Sequence, residues 1–156
     1  MKSKNPNTHQ MKLIKELRRA YAMELETVEN YLANSVDLDG VRADVIKKTL
    51  AADVATEIGH AQMLAQRIKT IGGRVPGSLD NDRGQAFLQP PKKTTDVMAV
   101  IKGVIRAEED AIAQYNRIIK LCEGVDFVTQ DLAVEILASE EEHRREFVGF
   151  LRECRQ

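Results

Sequence analysis

With 156 residues, 43% of them apolar, the chain is long enough for one domain with a full hydrophobic core, needing neither disulfides nor structural metal for basic stability. Lys and Arg number 23 against 24 Asp and Glu, and the formal net charge of −1 excludes a bulk field for nucleic acid or anionic membranes. No apolar run approaches the roughly 20 residues of a membrane span, and Met1 to Gln10 is polar rather than a signal core, so a cytoplasmic protein is expected.

Periodicity predicts four helices, at roughly 8–37, 41–71, 95–122 and 128–154. The first carries the seam Leu13, Leu17, Ala20, Glu24, Thr27/Val28, Tyr31, stepping by threes and fours as a buried stripe requires. Asp37-Leu38-Asp39-Gly40 ends it with short polar residues and a glycine, so the second helix returns antiparallel. Its seam is Ile46, Leu50, Asp53, Glu57, His60, Leu64, Ile68, Ile71. From Gly72-Gly73-Arg74-Val75-Pro76-Gly77 to Pro90-Pro91, breakers forbid a helix for about twenty residues, until Thr94-Thr95-Asp96 offers an N-cap. The third seam is Val97, Ile101, Val104, Glu108, Ala111/Ile112, Tyr115, Ile118, Cys122. After the short turn Glu123-Gly124-Val125-Asp126-Phe127, the fourth is Ala133, Ile136, Glu140, His143, Phe147, Phe150. Aromatic content of 4% without Trp suits a core of Leu, Ile and Ala.

Connections that run short, long, short define an all-α, ferritin-like antiparallel four-helix bundle with one long crossover between helices 2 and 3. A single domain over 1–156 is expected, since two hairpins on a flexible linker would each hold half a core. Cys122 and Cys154 form neither a Cys-x-x-Cys knuckle nor a secreted disulfide framework. At about 1.5 Å per residue they stand on the order of 40 Å apart along the second hairpin, so no bridge joins them within one chain.

Each seam carries ionisable groups at mid-length, and they repeat. Glu24 is followed 33 positions later by Glu57, with His60 three further on; Glu108 is followed 32 positions later by Glu140, with His143 three further on. Each lone Glu has a Tyr seven residues on, Tyr31 and Tyr115. Burying an uncompensated carboxylate costs several kcal/mol and four together repel, so the cluster must be protonated, neutralised or metal-bound. Two divalent ions offset four carboxylates, and a Glu from two helices plus Glu-x-x-His from the other two is a dinuclear ligand set. Oxygen and imidazole ligands suit iron or manganese. Glu26, Glu29, Glu109, Glu141 and Glu142 fall off the seams and are expected to face solvent. Asp53, whose counterpart Ile136 is apolar, is open between an acceptor behind a ligand, part of an iron path and a satisfied core residue. Tyr31 and Tyr115 are open between packing, hydrogen bonding to ligands and electron donation.

These residues resemble the ferritin-like superfamily, and within it bacterioferritins and the related Dps-like group. The resemblance runs through Glu24-Leu25 and Tyr31, Glu57-Ile58-Gly59-His60, Ile71-Gly72-Gly73-Arg74-Val75-Pro76, Ala107-Glu108, Gly124-Val125-Asp126 and Glu140-Glu141-Glu142-His143. It implies a non-haem di-iron ferroxidase that oxidises Fe(II) with O2 or H2O2 for iron storage, detoxification and oxidative-stress protection. It also implies that Glu57 and Glu140 bridge two irons, that Glu24 and Glu108 are terminal, and that His60 and His143 serve one iron each.

Three departures qualify the resemblance. Bacterioferritins bind haem through a Met directly after the helix-two Glu; Ile58 stands there, so haem is not expected. Only 13 residues follow His143, which points away from a 24-subunit shell and toward a homo-oligomer of twelve subunits or two. Lys2 and Lys4 are a thin basis for the DNA binding known in some Dps proteins, so nucleic acid is not an expected partner. The alternatives are a rubrerythrin-type di-iron peroxidase with a separate electron donor, since no rubredoxin-like cysteine set is present, and a non-enzymatic ferritin-like stress or assembly protein.

Overall fold

The structure, a computed structural model, describes residues 8–155; Lys2 and Lys4 lie outside the described residues. It is all-α. Helix α1 spans Thr8–Asp37, α2 Asp44–Thr70, α3 Val97–Cys122 and α4 Phe127–Cys154, with two short 3-10 turns at Ser78–Asp80 and Ala86–Leu88 in the long connection. Helices α1 and α2 pack along their length, as do α3 and α4; α1 also meets α3, while α2 and α4 touch only lightly. Among the described residues no helix is long and apolar enough to cross a membrane.

The helix ends follow from local chemistry. Asp96 caps α3 by accepting from the Ala99 N–H at 3.1 Å, and Asp126 caps α4 by accepting from the Thr129 N–H at 3.0 Å. Gly124 turns the chain at φ +70°, a conformation that leaves the Val125 and Asp126 N–H groups 2.9 Å from the Cys122 carbonyl. Helix α2 begins three residues later than its periodicity suggests, because Val41–Ala43 is a hydrogen-bonded turn in which the Ala43 N–H donates to Gly40. Arg67 near the end of α2 donates to both Asp126 carboxylate oxygens, at 2.8 and 2.9 Å, and to the Thr129 hydroxyl at 2.7 Å. Burial opposes ionisation of Asp126, but the bonds from Thr129 and Arg67 outweigh it and hold its carboxyl below the usual range. That network ties the far end of α2 to the α3–α4 turn.

The core is split into two apolar clusters. One gathers Leu38, Ile46, Leu50, Leu88, Ile101, Val104 and Phe147 at the α1–α2 turn. The other gathers Leu13, Leu17, Leu64, Ile68, Ile118, Cys122 and Ile136 at the α3–α4 turn. Cys154 packs against the first cluster and Cys122 belongs to the second, so the two thiols are free and held at opposite ends. Between the clusters lies a polar layer supplied by all four helices.

The crossover is held to the flank formed by α1 and α3. Its close approach needs Gly103, where a Cβ would stand 2.6 Å from the Phe87 carbonyl oxygen and 3.1 Å from Leu88 Cδ1. Arg106, one turn on, places its guanidinium 4.2 Å from the centre of the Phe87 ring. Gly103→Ala is therefore expected to push the crossover off α3 and to cost about 1–3 kcal/mol of stability, measured by urea unfolding. From α1, Asn34 donates to the Leu88 carbonyl at 2.9 Å. Glu26 corrects an expectation, for it is buried rather than solvent-facing, at 7% exposure. Its carboxylate accepts from the Gly84 N–H at 2.9 Å and the Gln85 N–H at 2.9 Å. The crossover covers the flank beside the α1 seam, and its backbone donors have no helical partner there. Glu29, Glu109, Glu141 and Glu142 are exposed, as their positions suggest.

Candidate metal centre

Six side chains from four helices meet in the polar layer: Glu24, Glu57, His60, Glu108, Glu140 and His143. Glu24, Glu57, Glu108 and Glu140 are buried to 4% exposure or less, and the imidazoles of His60 and His143 keep 9% and 11%. They form two overlapping sets, Glu24, Glu57, His60 and Glu140, and Glu57, Glu108, Glu140 and His143, each offering four ligand atoms within 4.8 Å of one another. Glu57 and Glu140 belong to both.

The geometry is that of donors aimed at a shared space rather than at each other. His60 Nδ1 stands 2.8 Å from Glu140 Oε1, 3.2 Å from Glu57 Oε2 and 3.8 Å from Glu24 Oε2. His143 Nδ1 stands 3.2 Å from Glu57 Oε1 and 3.7 Å from both Glu108 Oε1 and Glu140 Oε2. Yet Glu57 Oε1, Glu140 Oε1 and His143 Nδ1 have no hydrogen-bond partner, because the short approaches lack the angle a hydrogen bond needs. Buried polar atoms left so are rare and call for an explanation. Ligands held about 2.0–2.2 Å from a divalent ion lie at most about 4.4 Å apart, so the observed spread closes on an ion with small side-chain adjustments. The residues fit a pair of oxygen- and imidazole-ligated divalent ions.

Without metal the cluster balances its own charge. Burial, then the charges of Glu140 and Glu57, push the Glu24 carboxyl well above its ordinary range. Burial does the same to Glu108, against the opposing influence of the nearby His143 imidazole. Burial also disfavours ionised Glu57, but the adjacent imidazoles of His143 and His60 outweigh it and hold that carboxyl well below its usual value. Glu140 is lowered by the same two imidazoles against the same burial. Burial alone would lower His60; the carboxylates of Glu140, Glu24 and Glu57 instead push it up to about 12. His143 is likewise raised, with burial opposed by Glu108, Glu140 and Glu57. Two neutral acids, two carboxylates and two imidazolium ions result, with no net charge.

Two tyrosines bind the halves together crosswise. The Tyr31 hydroxyl on α1 donates to Glu108 on α3, and the Tyr115 hydroxyl on α3 donates to Glu24 on α1. Both rings are buried at 1% exposure or less. Burial is the leading cause that raises both phenols well above their usual range, so each stays a donor. Of the roles open to these residues two are in place: each ring packs within an apolar cluster and each hydroxyl bonds a carboxyl group. Asp53 Oδ1 stands 3.8 Å from His143 Nε2, the ring nitrogen facing away from the cluster. Burial is the main cause that raises Asp53, to about 6, with His143 opposing. Among the residues around the layer, sequence reasoning missed Glu26 and Gln85. Neither lies on a repeated seam, and only the path of the crossover brings them near.

Antiparallel helices joined short, long, short around a buried four-Glu, two-His layer define a carboxylate-rich, ferritin-like bundle whose layer fits metal ligation. Residues 14–156 match the ferritin-like domain, and the chain belongs to the Ferritin family. It is 27% identical over 142 residues to a bacterioferritin of Desulfovibrio desulfuricans, covering 89% of this chain and 74% of that one. It is 28% identical over 143 residues to a DNA protection during starvation protein of Pyrococcus furiosus, covering 90% and 77%. A ferritin-like, diiron-carboxylate protein of Bacillus anthracis superposes with a TM-score of 0.81 at 22% identity, over 93% of this chain and 99% of that one. A dodecameric thioferritin, the bacterioferritin-related protein of Bacteroides fragilis, superposes with a TM-score of 0.80 at 25% identity, over 93% and 87%.

Proposed function

We propose that the chain, as a single ferritin-like domain, is a ferroxidase that binds two ferrous ions in the polar layer and oxidises them with O2 or H2O2. The observation that carries this reading is the pair of buried ligand sets sharing Glu57 and Glu140. In it Glu57 and Glu140 bridge, Glu24 with His60 completes one position, and Glu108 with His143 completes the other. Iron is favoured over thiolate-seeking metals because the donors are oxygen and imidazole, a set that also suits manganese. Two bound ferrous ions supply two electrons together, which with two protons reduce O2 to H2O2, or H2O2 to two waters.

The protein's share of this chemistry is positioning and proton balance. Tyr115 and Tyr31 fix the two terminal carboxyls by hydrogen bonds, so Glu24 and Glu108 stay turned inward. Asp53 faces the outer nitrogen of His143 and steers Nδ1 toward the shared space. The two apolar clusters above and below the layer exclude bulk water. Binding two divalent ions displaces about four protons, from Glu24, Glu108, His60 and His143, and so keeps the interior neutral.

Homo-oligomer assembly accords with the dodecameric Bacteroides fragilis relative; twelve subunits or two are the sizes proposed, and storage of ferric iron and protection from oxidants follow if a shell forms. Ferrous iron added anaerobically and then exposed to O2 or H2O2 tests the activity: rapid ferric absorbance is expected. Apoprotein that binds no iron and leaves its oxidation at the buffer rate would rule the reading out. Native sizing tests storage separately, because a particle no larger than a dimer has no cavity.

A further inference from the structure

The layer has two flanks of different chemistry. On the α2–α4 side the imidazoles of His60 and His143 and the carboxylate of Asp53 keep 9%, 11% and 13% of their surface. Glu146 adds a further negative charge acting on Asp53. That side suits a cation. On the α1–α3 side a groove of about 920 Å³ runs beneath the crossover, lined by five cationic and five acidic side chains, so its field is balanced. Behind it lies a cavity of about 10 Å³ that touches Glu24, Glu57, Glu108 and Glu140. Gln85 and Met23 line both spaces and form the wall between them.

Gln85 is latched shut. Its side-chain amide donates to the Thr27 hydroxyl at 2.7 Å and accepts from Asn30 Nδ2 at 3.0 Å, and the residue is 6% exposed. Thr27 itself lines the inner cavity, three residues beyond Glu24 on α1. An amide, a hydroxyl and a thioether carry no charge with which to strip water from a divalent ion, which dehydrates reluctantly. A cavity near the lower limit of about 10–15 Å³ for one water admits only a molecule of that size.

Resting on the metal-centre reading above, we propose that Gln85, latched to Thr27 and Asn30, gates a route from the α1–α3 groove by which a small neutral oxidant reaches the carboxylates. Gln85 is a positioning residue. It touches neither ion, and its amide must swing away from Thr27 for the cavity to join the groove. Nothing in the route requires the cation to pass the same way.

The test uses the full-length protein and two probes. Nitric oxide, small and neutral, is mixed anaerobically with ferrous-loaded protein and its binding followed by absorbance; cobalt(II) uptake by apoprotein is followed in parallel. Gln85→Ala removes both hydrogen bonds of the latch and Thr27→Val removes one, and each is expected to speed nitric oxide binding at least about fivefold while cobalt uptake stays within about twofold of wild type. Unchanged nitric oxide rates in both variants would overturn the gate. Cobalt uptake accelerated by the same factor as nitric oxide would overturn it too, because the wall would then bar both species alike. Wild-type protein that takes up no cobalt would sink the metal-centre reading, and the gate with it.

Discussion

Glu57→Ala is expected to slow aerobic oxidation of ferrous iron by more than about 100-fold, since loss of an outer partner to a ligand already costs about 10–100-fold and this change removes a ligand itself. The effect is large because Glu57 belongs to both ligand sets, so neither position keeps its four donors. Glu140→Ala should match it for the same reason. Glu24→Ala damages only one set, so cobalt titration of that variant should show one tight ion where wild type shows two. Glu109→Ala is the control: that carboxylate is 51% exposed and pairs with Arg144 at 3.0 Å, outside the layer. Circular dichroism on each variant separates a lost ligand from a lost fold.

Acidity should move stability and metal affinity in opposite directions. In the apoprotein His60 is raised from 6.5 to about 12, and His143 is raised as well. A group raised in this way binds more protons folded than unfolded. Its contribution is fully present below about 6.5 and is lost as pH climbs through the folded value. Glu24 and Glu108, raised from 4.5, add to the same decline above that pH. Glu57 and Glu140 are lowered, so their contribution is present above 4.5 and is lost only as pH falls through their folded values. From pH 6.5 to 8.5 the apoprotein should therefore weaken by about 1 kcal/mol per pH unit for each imidazole. A chain of this size loses about 2–4 °C of Tm per kcal/mol. Cobalt affinity should rise over the same interval, because the displaced protons leave more readily. Apoprotein Tm that rises from pH 6.5 to 8.5, or cobalt affinity that does not, would contradict the proton balance assigned to the layer.

The bundle was legible in the sequence because its helices are long and their seams strict. Leu13, Leu17, Ala20 and Glu24 repeat at helical spacing, and the breakers from Gly72 to Pro91 leave one place for a long crossover. The six polar side chains were legible for another reason: ionisable groups on apolar seams are costly, and here the set occurs twice in register. What was hidden depends on contacts between segments far apart in the chain. Tyr31 and Tyr115 reach across to the carboxyl of the other half, which no spacing within one helix discloses. Glu26 looked solvent-facing because it lies two residues from Glu24, off the stripe. Its burial follows from where the crossover settles, 58 residues later in the chain. Gln85 lies in a segment without periodicity, where nothing in the pattern marks one polar side chain above another. The late start of α2 reflects the Val41–Ala43 turn, a boundary that hydrogen bonding sets and hydrophobic period does not.

Anomalous diffraction from crystals soaked anaerobically in ferrous iron or cobalt tests the central claim most directly. Two peaks per chain are predicted, side by side in the layer, both touching Glu57 and Glu140, one completed by Glu24 with His60 and the other by Glu108 with His143. A layer with no peak, or ions found only on the protein surface, would contradict it.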